Sequence, residues 1–159
     1  MTFAHPKTPK FFTAESANAC LPLVRAITAD IVNLSRYLLD RRQRCDSLTR
    51  GRNTSAGDPY AQELAQVQQE LAREEGKLRE YERELSDLGV VLQSAPEGLV
   101  DFPALFDGRL VFLCWKYNEP EVLFWHERDA GFAGRQSLTA DTAAGDAGPA
   151  EDDAFRGTS

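Results

Sequence analysis

Apolar side chains recur at Cys20, Val24, Ile27, Ile31, Leu34, Leu38, Cys45 and Leu48. Counting Arg41, which fills the remaining position, the steps alternate between three and four and keep one stripe along a helix from about residue 14 to about residue 50. Thr13 is placed to cap that helix, Glu15 lies near its positive end, and Pro22 should bend its first turns because it has no N–H for the Asn18 carbonyl. A second stripe, Leu64, Val67, Leu71, Leu78, Tyr81, Leu85, Leu88 and Leu92, predicts a helix from about residue 60 to about residue 93, interrupted by Glu74. The intervening RGRNTSAGDPY is dense in turn formers and lets the two helices run antiparallel.

Folded as a coiled-coil hairpin, the stripes pair Leu48 with Val67, Cys45 with Leu71, Leu38 with Leu78 and Leu34 with Tyr81, and Arg41 meets Glu74. Such a pair fixes register, since a slip strands each charge against leucine. Leu23, Val32, Leu39 and Val90 lie off this seam and need cover, from the C-terminal segment or from a second copy completing a four-helix bundle.

After SAPEGL the period shortens to two. LVDFPALFDGRLVFLCWKYNEPEVLFWHER, about residues 98 to 128, has turn signals at Asp107-Gly108 and at Asn118 to Glu121 and predicts a three-stranded antiparallel meander. Pro103 has no N–H for a ladder, which places the first strand at an edge or ends it early. A four-residue second loop sets Leu113 opposite His126 and Cys114 opposite Trp125, so that Cys114 and His126 point to opposite faces. A longer loop or a bulge changes that, because a slip of one residue flips every side chain.

The chain thus reads as α+β. A single domain over residues 11–138 joins a long two-helix hairpin to a small β-meander and a GFAGRQ turn at 131–136, with a flexible stretch at 1–10 and a disordered acidic tail at 139–159.

With 159 residues, 42% hydrophobic and 27% charged, one modest core is expected. A net charge of −7 argues against nucleic acid, and the arginines between 41 and 52 serve a helix terminus. No stretch approaches the ~20 apolar residues of a membrane span or has the apolar run of a signal peptide, so a cytoplasmic location is expected, without a membrane partner. Cys20, Cys45 and Cys114 are far apart and read as free thiols.

The chemistry-bearing residues gather near the end of the β segment. Cys114, His126 and Glu127 offer a soft sulfur, an imidazole and a carboxylate, a candidate set for a bound metal ion. Trp115 and Trp125 offer an aromatic platform, Arg135 and Gln136 offer donors for an anion, and Asp101 is placed to cap a turn or orient Arg135. Each has a structural alternative: the tryptophans as core, Cys114 as a small buried hydrophobe, and His126 as a hydrogen-bonded structural histidine. For GFAGRQ the alternative docks Phe132 into the helical pair while Arg135 meets an acid of the second helix. No nucleophile and base can be named together, so no catalytic residue is assigned and the balance leans away from an enzyme.

FFTAESANACLPLVR, the charged hairpin, GLVDFPALFDGRLVFLCW and EVLFWHERDAGFAGRQSL, in that order, resemble the prokaryotic domain-of-unknown-function family 2203 across roughly residues 11 to 138. The resemblance implies an architecture and marks Asp101, Cys114, Trp115, Trp125, His126, Gly131, Arg135 and Gln136 as motif positions, without assigning them a role. The leading functional expectation is a non-enzymatic interaction or oligomerisation domain, a homodimer or the partner of another protein. The alternative is a small-ligand, anion or metal site around His126, Cys114 and Arg135.

Overall fold

The Thr13 hydroxyl accepts from the Ser16 backbone N–H at 3.1 Å while the Ser16 hydroxyl accepts from the Thr13 N–H at 2.9 Å. This reciprocal cap starts helix α1, Ala14–Thr49, which runs on through Pro22. Helix α2, Pro59–Asp87, opens on a proline, whose missing N–H costs nothing in a first turn. The computed structural model describes residues 10–50 and 59–139. The expected flexible N-terminus, most of the interhelical loop and the acidic tail lie outside the described residues, Lys10 and Thr139 apart.

The second helix ends earlier than its stripe predicts. Gly89 takes φ +87, the Gly89 N–H returns to the Ser86 carbonyl, and the next residues form a strand instead of another turn. The spacing of Leu88 and Leu92 suits a helix, but the left-handed glycine between them ends it. Val91–Ser94 is strand β1, followed by β2 (Leu99–Phe106), β3 (Arg109–Lys116), β4 (Phe124–Glu127) and β5 (Gln136–Ser137). They form one antiparallel sheet in chain order, so the expected three-stranded meander gains a strand on each side.

Pro103 lies in β2, which is not an edge strand. β1 reaches only as far as Asp101, however, and beyond it the Pro103 carbonyl accepts from Phe12 N–H at 2.7 Å. The missing N–H of Pro103 therefore falls where no strand asks for it. Between β2 and β3, Asp107 (φ +54) and Gly108 (φ +73) make the expected two-residue turn, with Phe106 opposite Arg109.

One face of the sheet, with Val100, Phe102, Ala104, Val111, Leu113, Trp115 and Trp125, packs on Phe12, Leu21, Val24, Ile27 and Ile31 and on Leu85 of α2. The sheet thus covers the open end of the helical hairpin. Gly98 (φ +66) is required at this contact, because a Cβ there would lie 2.5 Å from Tyr117 Cβ and 2.8 Å from Val32 Cγ2.

Farther out the hairpin packs thinly. α2 buries only Leu71 and Leu85, and Leu48 of the predicted seam is 52% exposed. The ion pair that spans the helices joins Arg42 to Glu75, one position on in each helix from the expected Arg41 and Glu74. Among the described residues no helix is long and apolar enough to cross a membrane.

The β3–β4 register also differs from expectation. Phe112 lies opposite His126, Leu113 opposite Trp125, and Cys114 opposite Phe124. The cause is the connection from 117 to 123, which is no simple hairpin loop. Asn18 of α1 exchanges hydrogen bonds with the Val122 backbone, Arg25 donates to the Pro120 carbonyl at 2.9 Å, and Glu119 folds back to accept from Lys116 N–H at 2.7 Å. The shift is one residue, and it places His126 on the same face as Cys114.

Candidate metal centre

The two-residue turn at 107–108 sets Asp101 directly opposite Cys114, and the observed β4 register brings His126 diagonally beside them. All three point away from the helices, yet they are 1%, 1% and 3% exposed. One ligand atom from each, carboxylate oxygen, thiol sulfur and imidazole nitrogen, lies within 4.8 Å of the other two.

The cover on this side comes from the chain between β4 and β5. It turns at Gly131 (φ +63), passes through a short 3-10 helix at Phe132–Gly134, and is fastened by Arg135. The Arg135 Nη2 donates to both carboxylate oxygens of Glu119 at 2.7 Å, and the guanidinium lies over the rings of Phe124, 4.0 Å from its centroid, and Phe132, at 4.6 Å. Between this cover and the sheet is a cleft of about 370 Å³ that reaches Asp101, Cys114 and His126.

The imidazole is fixed on three sides. Its Nδ1 lies 2.7 Å from the Glu127 carbonyl oxygen, which can only accept, so Nδ1 carries a proton and donates it. Its Nε2 lies 3.0 Å from Asp101 Oδ1, and the Phe112 ring stacks on it at 5.7 Å between centroids. Without a cation, Nε2 faces the carboxylate either as the second N–H of an imidazolium or as an acceptor from a protonated Asp101. With one, its lone pair is free to ligate, and the backbone carbonyl on Nδ1 is the partner that metal-binding histidines commonly use.

Burial pushes the Cys114 thiol up to about 12, helped by the negative charge of Asp101, to which the thiol also hydrogen-bonds; Arg135 opposes this. At neutral pH and without a cation the sulfur keeps its proton. A divalent ion reverses that preference, because coordination deprotonates a thiol. Tetrahedral zinc with Zn–N and Zn–O near 2.0–2.2 Å needs an N···O separation of about 3.3 Å, only a few tenths beyond that between His126 and Asp101.

The other residues singled out from the sequence lie elsewhere. Glu127, grouped with Cys114 and His126 as a metal ligand, is on the opposite sheet face, with its side chain paired to Arg109 at 3.0 Å. Trp115 is buried in the core, its Nε1 donating to the Glu119 carbonyl at 3.0 Å, and Trp125 packs edge-on against Phe106. Arg135 is taken up by Glu119 in the β3–β4 connection, not by an acid of α2. Phe132 is 43% exposed beneath that guanidinium instead of docked between the helices. Gln136 is exposed in β5.

Asp101, read from the sequence as a cap or an orienting group for Arg135, is the third member of the cluster. The signal that places it there is the Asp-Gly turn, which fixes its partner as Cys114 by counting outward. The family model of the uncharacterised conserved protein family DUF2203 matches residues 10–138. No curated protein and no solved structure matches the chain.

Proposed function

The chain belongs to the DUF2203 family, and we propose from its own side chains that it is a metal-binding protein whose centre is Asp101, Cys114 and His126. The observation that carries this reading is a nitrogen, a sulfur and an oxygen ligand converging within 4.8 Å in the buried floor of a cleft. A mixed N, S and O set suits a borderline cation such as Zn²⁺ better than Mg²⁺ or Ca²⁺, which prefer oxygen. Asp101 and the Cys114 thiolate offset the two positive charges, His126 supplies Nε2, and the Glu127 carbonyl holds the ring in its ligating tautomer. Three protein ligands leave a coordination position toward the cleft, where a bound ion supplies a Lewis acid and a seat for an external donor.

The test is elemental analysis of untagged protein purified without chelator, followed by Co²⁺ titration of the stripped protein. The expected result is about one ion per chain, lost in Cys114→Ala and His126→Ala but kept in Glu127→Gln, whose carbonyl is untouched. Wild-type protein that arrives empty and takes up no Co²⁺ overturns the reading.

The thin packing of the outer hairpin favours a second function for a different region. Tyr37 and Leu48 are half-exposed on one side of α1, and α2 buries two side chains along its length. A second copy that completes a coiled-coil bundle in the cytoplasm would cover them. Sedimentation equilibrium tests this directly: a dimer that Leu48→Glu dissociates supports it, and a monomeric wild type contradicts it.

A further inference from the structure

We infer that the cleft beside Asp101, Cys114 and His126 binds a small carboxylate with an apolar body, its oxygen on the ion and its charge against Arg128; this rests on the metal reading above. The volume, about 370 Å³, is at the small end of the range for small-molecule sites. Charge chooses the ligand. Asp101 and the thiolate already neutralise a divalent ion, so an anionic fourth ligand makes the centre negative unless a cation stands near. Arg128 lines the same cleft, and its side chain has no ion-pair partner among the described residues. Its guanidinium is the group that can offset one added negative charge, with two donors for a carboxylate.

Shape and the remaining charge narrow the class further. Phe112, stacked on the His126 ring, and the half-exposed Phe132 form an apolar wall next to the ion. Asp129 also lines the cleft and disfavours a second negative charge. A phosphate dianion therefore meets one arginine and one repelling carboxylate and gains nothing from the aromatic rings. A monocarboxylate with a ring or a short aliphatic body uses every group present.

The experiment uses the full chain loaded with Co²⁺, its metal content measured first, and follows the visible Co²⁺ spectrum during titration with benzoate, acetate, inorganic phosphate and benzyl alcohol. Benzoate is expected to change the spectrum saturably and to bind more tightly than the other three. Arg128→Gln should weaken benzoate by roughly tenfold with Co²⁺ stoichiometry unchanged. Phe132→Ala should narrow the gap between benzoate and acetate. A loaded protein that ignores benzoate, binds phosphate more tightly, or responds equally well with Arg128→Gln overturns the inference and leaves the metal centre standing. Failure to take up Co²⁺ removes the metal reading itself, and this inference with it.

Discussion

The two faces of the sheet differ in burial and in chemistry: the helix-facing positions are buried almost throughout, whereas on the other face burial centres on Asp101, Cys114 and His126. Toward the helices, Val100, Phe102, Val111 and Leu113 are apolar and fully buried, the composition that hydrophobic burial alone selects. Away from them, Asp101 of β2, Cys114 of β3 and His126 of β4 put a carboxylate, a thiol and an imidazole out of reach of water. Removing such groups from solvent costs stability unless each is matched, and apolar residues would fill the same space at less cost. The first face is what hydrophobic burial selects; on the second the carboxylate, thiol and imidazole are matched to one another and to the Glu127 carbonyl, a polar network that burial alone does not call for.

Substitutions can sharpen that contrast. The largest loss is expected on the helix-facing side, where Phe102→Ala removes a fully buried ring packed edge-on against Phe12 and should cost about 3–5 kcal/mol in denaturant unfolding. On the opposite face, measured with chelator, Asp101→Ala or His126→Ala should each cost about 1–3 kcal/mol, since each leaves a buried polar partner unmatched. Asp101→Leu combined with His126→Leu should recover much of that loss, and a double-mutant cycle that finds simple additivity breaks the contrast.

The same face should also respond to alkali. Folding raises the Cys114 thiol from 9.0 to about 12, so the folded state holds its proton longer than the unfolded chain. Metal-free protein should therefore keep this contribution below pH about 9 and lose it progressively as pH climbs toward 12. Cys114→Ala should flatten that slope in thermal melts. The smallest effect is expected far from either face: Arg42→Gln breaks an exposed ion pair and should change stability by less than about 1 kcal/mol.

Much of the architecture is legible in the chain, and what is not has identifiable causes. The leucine stripes, the Thr13 cap and the Asp107-Gly108 turn are local signals, and the structure follows them. Leu88 and Leu92 continue the helical spacing, but Gly89 outweighs them, so β1 could not be read from periodicity. Two of the three clustered residues are open to counting, because a two-residue turn leaves Asp101 no partner but Cys114. The position of His126 is not, since the 117–123 connection is shaped by Asn18 and Arg25, about one hundred residues earlier in the chain. Glu127 was misplaced by the same slip of one residue, which moved His126 to the Cys114 face and its neighbour to the other.

The most direct test of the central claim is X-ray absorption at the zinc edge of Zn²⁺-loaded protein. A centre made by Asp101, Cys114 and His126 predicts one sulfur at about 2.3 Å, an imidazole nitrogen and oxygens at about 2.0–2.2 Å, with the sulfur shell absent in Cys114→Ala. A zinc shell without sulfur in the wild type, or one that Cys114→Ala leaves unchanged, would place the ion elsewhere and contradict the assignment.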